Sequence, residues 1–174
     1  MIEILTNRLM IVPCSLDIAK SLIFHRKELE RRSPIGIPAS WPSSIVKGFL
    51  PYYIEELEAD KKNNDFGFWL IILYEEKKII GDLVMEGRPI KDGTVSLDYH
   101  LDISKEKITD ETIAYEAIDA LIDWLTYQKS VKKIVMECRQ DQEQVIHLLN
   151  RLGFICQSKE GSFLKWEMQK RDNL

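Results

Sequence analysis

Phe66-Gly67-Phe68-Trp69-Leu70-Ile71-Ile72-Leu73-Tyr74 is an almost continuous apolar run, interrupted by a single glycine. A segment of this length and composition predicts a strand covered on both faces. The charged turn Glu75 to Lys78 separates it from a second strand over Ile79 to Met85. Asp92-Gly93 then marks a hairpin turn, and Val95-Ser96-Leu97-Asp98-Tyr99-His100-Leu101-Asp102 alternates strictly. Val95, Leu97, Tyr99 and Leu101 share one face of that strand; Ser96, Asp98, His100 and Asp102 share the other. Together the three segments predict an antiparallel meander at the centre of the fold.

Toward the N-terminus, Leu9 to Val12 is a strand ended by Pro13, and Ser15 caps a helix through Ala19, Leu22 and Ile23. Pro34, Pro38 and Pro42 make residues 33 to 44 a loop. Helical spacing returns over Ile45 to Asp60, with an interruption expected near Pro51. Toward the C-terminus, Ala114, Ala117, Ile118, Leu121, Trp124 and Leu125 form one helical stripe. Val131 to Cys138 is a strand. Val145, Leu148, Leu149 and Leu152 form a second stripe, stopped by Gly153. Phe154 to Cys156 and Phe163 to Met168 are two short strands, with Phe163 and Trp166 expected to pack in the core. The order β-α-α-β-β-β-α-β-α-β-β predicts an α/β fold: a mixed, largely antiparallel sheet with helices packed on both faces, in one domain over residues 1–174.

The 174 residues, 45% hydrophobic and 30% charged, suit a globular domain that buries about 70% of its unfolded surface. A formal charge of −4 with interspersed acids and bases argues against a nucleic-acid platform. Cys14, Cys138 and Cys156 lie far apart with no C-x-x-C pair, which suits free, core-packed thiols in a reducing compartment. No secretory leader is read at the start, and the longest apolar run is too short to cross a bilayer, so a soluble, cytoplasmic protein is expected. No spacing of Cys, His and Asp points to a metal, and neither a Ser-His-Asp set nor a Walker loop is visible. No exposed apolar stripe predicts an oligomeric state.

Several local strings carry a family resemblance. Leu5-Thr6-Asn7-Arg8-Leu9, Trp41-Pro42, Ile80-Gly81-Asp82, Asp92-Gly93-Thr94-Val95, Glu116-Ala117 and Leu152-Gly153-Phe154 occur in this order across nearly the whole chain. They resemble the GNAT acetyltransferases, in particular the branch that includes the ribosomal-protein N-terminal acetyltransferases. The resemblance implies acyl transfer from acetyl-CoA to an amine, either a small molecule or a protein N-terminus. It also implies that the end of the last meander strand, Leu101, Asp102 and Ile103, offers backbone groups to the pantetheine arm. The turn opening the next helix would hold the coenzyme pyrophosphate through backbone N–H groups and the helix dipole.

Here the sequence departs from the family pattern [QR]-x-x-G-x-[GA]. Its positions fall on Thr109, Asp110, Glu111, Thr112, Ile113 and Ala114, so a basic or amide residue has become Thr109 and the glycine has become Thr112. Thr109 or Asp110 equally serves as an ordinary helix cap, with Asp110 and Glu111 favouring the positive helix end. A carboxylate about 6 Å from a phosphate charge, at an effective dielectric near 20, costs roughly 2–3 kcal/mol. The direction of these two acids therefore decides whether they oppose the ligand. Downstream, the family's N-x-x-S falls on Gln142 and Val145. The alternative is thus a module of the same fold that has lost coenzyme binding and serves as a ligand-binding or interaction protein.

An amine acceptor must lose a proton before it attacks. The family's glutamate position on the strand holds Ser96, with Asp98 and His100 on the same face as substitutes; a polar, merely solvated strand face is the plainer alternative. His100 suits the task through its ordinary pKa near 6.5. The resemblance places Trp41, Phe49 and Tyr52 on the acceptor side, where packing is again the alternative role.

Overall fold

The computed structural model describes residues 2–59, 66–86, 92–102 and 110–170, without the Asp110 side chain. Among these residues eight strands and five helices follow the order β1 (Ile4–Leu5), β2 (Leu9–Pro13), α1 (Leu16–Phe24), α2 (Arg26–Arg32), α3 (Ser44–Ala59), β3 (Phe68–Leu73), β4 (Lys78–Glu86), β5 (Thr94–Leu101), α4 (Asp110–Thr126), β6 (Lys133–Arg139), α5 (Glu143–Leu152), β7 (Ile155–Glu160) and β8 (Phe163–Gln169). The strands form one mixed, largely antiparallel sheet in the order β1-β2-β3-β4-β5-β6-β8-β7. The chain divides into two compact units. Residues 1–84 with 100–104 form the first, and residues 85–99 with 105–174 the second.

In the first unit β3 is buried at all six positions, as its apolar run requires. Phe68, Leu70 and Ile72 join Leu22 of α1 and Val46, Leu50, Tyr53, Ile54 and Leu57 of α3 in one apolar cluster. β3 pairs antiparallel with β2 and with β4, and its register with β4 shifts between Ile71 and Ile72. Such a bulge adds local twist and re-aims the side chains beyond it, here just before Gly81 and Asp82. Ser15 caps α1, its hydroxyl accepting from the Ile18 amide at 3.3 Å.

Three features of this unit differ from the sequence expectation. β1 pairs with β2 through a tight turn in which the Thr6 side chain accepts from the Leu9 amide at 2.9 Å; two residues are too few to show a period. α2 has no buried residue, so it carries no apolar stripe; the Arg26–Glu30 and Arg32–Glu28 pairs, at 2.6 and 2.7 Å, support it instead. α3 runs through Pro51 without interruption. A proline in a helix interior costs about 3 kcal/mol, whereas burying each large side chain of the α3 stripe contributes about 1.5–3 kcal/mol. Five such side chains outweigh one proline.

In the second unit, β5 and β6 form a short parallel ladder, Thr94↔Lys133, Val95↔Ile134 and Ser96↔Val135. β6 pairs antiparallel with β8 along its whole length, and β8 with β7. Ile113, Ala114, Ala117, Ile118, Leu121, Ile122 and Leu125 are the buried stripe of α4; Leu148, Leu149 and Leu152 are that of α5. Gly153 ends α5 at φ +92°, and the Phe154 amide reaches back to the Leu149 carbonyl at 2.9 Å. Two packing expectations are corrected here. Cys156 and Phe163 are exposed, because β7 is solvated at every position and β8 alternates. Trp166, Cys14 and Cys138 are buried as anticipated.

Gly81 is required by close approach rather than by its backbone angles. A Cβ there would overlap the His100 carbonyl oxygen and lie 3.2 Å from Leu101 Cα. Gly81→Ala is therefore expected to destabilise the protein by about 2 kcal/mol or more, read as a lower urea midpoint with an unchanged slope.

Candidate functional site

The first unit builds a buried polar network around one carboxylate. Asp82 stands in the middle of β4 with 0% of its surface exposed. Its Oδ2 accepts from the Trp41 indole Nε1 at 2.8 Å, and its Oδ1 lies 2.8 Å from His100 Nδ1. Both carboxylate oxygens are thus engaged, as burial of a charge demands. Trp41 is held from two sides. Its ring stacks on Phe68 at 6.1 Å and 9°, and its carbonyl accepts from Arg26 at 2.6 Å. The same guanidinium donates to the Pro38 carbonyl at 2.8 Å and, through Nε, to Glu30 at 2.6 Å. α2 therefore serves to anchor the proline-rich loop. The Ser40 hydroxyl donates to the Asp102 carboxylate, and the Asp102 amide donates to the Ile80 carbonyl at 2.8 Å.

The structure sorts the three candidates for proton transfer. His100 is joined to Asp82 and keeps 21% of its side chain exposed. Asp98 is exposed and turns back on its own strand, accepting from the Tyr99 amide at 2.8 Å. Ser96 is half-buried at the last position of the β5–β6 ladder. Cys14 offers no thiolate, because burial, reinforced by the Asp82 charge, pushes its thiol far up.

Of the acceptor-side residues, Trp41 is buried in the network just described. Phe49 is half-buried and Tyr52 is 58% exposed, their rings 6.1 Å apart. Phe49 also stacks on Tyr53 at 5.8 Å, and Tyr53 meets Phe68 edge-on at 6.0 Å. An aromatic series thus runs from exposed Tyr52 to buried Trp41.

The second unit carries the start of α4. Ile103 and Thr109 lie outside the described residues, as does the Asp110 side chain. Ile113 and Ala114 are buried and belong to the core stripe of the helix. Thr112 is exposed. The Glu111 carboxylate is bonded to Arg151 at 2.9 Å and to His147 at 2.9 Å, both on α5. Arg151 also lies over the Tyr115 ring, 4.7 Å from its centroid. The Arg151 bond first, and the His147 bond next, hold the Glu111 carboxyl below its ordinary range. At α5, Gln142 Oε1 accepts from the Arg139 amide at 2.7 Å instead of capping the helix. A shallow cavity of about 360 Å³ opens beside it, lined by Asp141, Gln142, Glu143, Gln144 and Val145.

Among the described residues the β5–β6 ladder stops at Ser96 and Val135, although both strands continue. The two parallel strands thus part midway, and α4 follows β5 in the chain. A family model described as an acetyltransferase (GNAT) domain matches residues 8–155. The chain belongs to the GNAT acetyltransferase family. Over 166 residues it is 22% identical to the uncharacterized N-acetyltransferase YjdG of Bacillus subtilis, covering 95% of this chain and 97% of that one. The fold matches the ribosomal-protein-S5-alanine acetyltransferase of Vibrio fischeri with a TM-score of 0.68 at 16% identity, covering 99% and 98% of the two chains. It also matches RimL, a ribosomal L7/L12 alpha-N-protein acetyltransferase in complex with coenzyme A, with a TM-score of 0.65 at 15% identity and 97% and 98% coverage. Among the described residues of this GNAT chain no group of three or more His, Cys, Asp or Glu could hold a metal ion, and no helix is long and apolar enough to cross a membrane.

Sequence reasoning gave Asp82 no role beyond its place in the string Ile80-Gly81-Asp82, read His147 as a surface or packed residue, and passed over Arg151. Asp82 had a legible signal, since a charged residue inside the apolar strand Ile79 to Met85 needs buried partners. The other two, on the polar face of α5, had none.

The Glu111 contacts carry a pH prediction. A carboxyl depressed in the folded state contributes stability above its unfolded pKa and loses it as pH falls through the folded value. Glu111→Gln should lower the melting temperature at pH 7, and the difference from wild type should close as pH falls through the depressed Glu111 value.

Proposed function

We propose that the chain is an acyltransferase that moves an acetyl group from acetyl-CoA to a primary amine, either a small molecule or a protein N-terminus. The ribosomal substrates named for two of the matched structures make protein N-termini a natural first acceptor class to assay. Bound acetyl-CoA would supply the activated thioester carbonyl.

The chain's own residues divide the remaining work. Thr109 to Ala114 would hold the diphosphate at the start of α4, and Leu101, Asp102 and Ile103 would adjoin the pantetheine arm. Because the Asp102 amide already serves Ile80, its neighbours carry that backbone role. Gln142 would steady the start of α5 through its bond to β6. Phe49 and Tyr52 would contact the acceptor, and His100 would take the proton from its ammonium group; Asp98 and Ser96 are secondary candidates for that step.

The observation that carries this proposal is the pairing of His100 with a wholly buried carboxylate. An imidazole oriented in this way on a strand has the chemistry of a base, whereas a solvated polar face has no need of such a partner. The engagement of Glu111 also weakens the case for an inactive module. A carboxylate neutralised by a guanidinium 2.9 Å away repels a diphosphate far less than the lone acid assumed in the 2–3 kcal/mol figure.

Calorimetry with acetyl-CoA tests the proposal directly. Saturable heat at micromolar to millimolar coenzyme is expected, and none at millimolar concentration would favour the inactive alternative. With coenzyme bound, His100→Gln should reduce acetyl transfer about 10²-fold or more while leaving coenzyme affinity unchanged.

A further inference from the structure

We propose that Asp82 is a positioning residue that fixes the tautomer of His100, and that Trp41 fixes which way Asp82 can serve it. The inference rests on the assignment of His100 as the base but is tested without it. The geometry is a three-member chain inside the first unit: indole Nε1, carboxylate Oδ2 and Oδ1, imidazole Nδ1, with both links at 2.8 Å. Each link has a forced polarity. An indole N–H only donates and an ionised carboxylate only accepts, so the imidazole must donate from Nδ1. In the neutral ring the basic lone pair then belongs to Nε2. The strand orients the ring, and the carboxylate decides which nitrogen is the base.

Removing the charge at constant shape inverts that outcome. An asparagine at position 82 has one acceptor and one donor to share between the same two neighbours. Trp41 cannot change its polarity, because its nitrogen is a permanent donor and its ring is buried and stacked on Phe68. The imidazole can change. The asparagine oxygen therefore turns to Trp41 and its NH₂ to His100, which moves the imidazole proton to Nε2 and leaves the lone pair facing position 82. Loss of base function through the wrong tautomer is the effect known for a carboxylate-to-amide change in the serine-protease triad. If Trp41 is also replaced by phenylalanine, the obligatory donor is gone while a ring remains against Phe68. The asparagine is then free to offer its oxygen to His100, and the original tautomer returns.

Nitrogen-15 spectra of the imidazole rings at alkaline pH distinguish these states. The chain has only three histidines, and His100→Gln assigns the signal. The expected pattern is a protonated Nδ1 in the wild type, a protonated Nε2 in Asp82→Asn, and a protonated Nδ1 again in Trp41→Phe/Asp82→Asn. A wild-type ring protonated at Nε2 would overturn the proposal without any variant having to fold, as would an unchanged tautomer in a folded Asp82→Asn protein. Thiol release from acetyl-CoA, assayed with a panel of N-terminal peptides and small primary amines, then separates the two levels. Asp82→Asn should lose rate about 10²-fold or more with little change in acceptor KM, and the double variant should regain part of it. If the tautomers behave as expected while His100→Gln keeps full activity, the positioning role stands and the assignment of His100 as base falls.

Discussion

A carboxylate removed from water must be surrounded by donors, because its desolvation amounts to several kcal/mol even after the protein relaxes. Asp82 imposes that requirement at the centre of the first unit, and much of the surrounding chain conforms to it. One donor comes from a proline-rich loop 41 residues earlier, the other from β5, 18 residues later. The loop cannot place an indole unaided, since residues 33 to 44 contain little regular structure. α2, with no core of its own, supplies Arg26 to clamp the Trp41 and Pro38 carbonyls. The strand approach is equally constrained, because β5 lies so close to β4 that only a glycine fits at position 81. Loop, short helix, bulge and glycine thus converge on two hydrogen bonds.

The second unit solves a different electrostatic problem. The start of α4 carries two acids in succession, Asp110 and Glu111. Glu111 is answered by Arg151 and His147, which reach across from α5. The compensation couples the two helices, so the electrostatics at the start of α4 depend on residues 36 and 40 positions downstream. Thr112 lacks the backbone freedom of a glycine. Ile113 and Ala114 are buried in the core of the same unit.

The sequence by itself determined which segments could be elements and which faces they bury. The apolar run at Phe68–Leu73, the alternation from Val95 and the stripes of α4 and α5 are periodic, and periodic burial is local information written every two or three to four residues. It also carried the family resemblance and marked His100 as a candidate base. Tertiary structure alone decided whatever depends on a distant partner. α3 persists through Pro51 because five buried side chains outweigh one missing hydrogen bond. α2 folds without a stripe because its charges pair and its arginine is needed elsewhere. Glu111 turns toward α5, and Asp82 links Trp41 to His100, because buried or crowded charges take their partners from whatever the fold brings within 3 Å. Periodicity specifies a surface to be covered, whereas a hydrogen bond requires two particular atoms to meet, and only the folded chain brings them together.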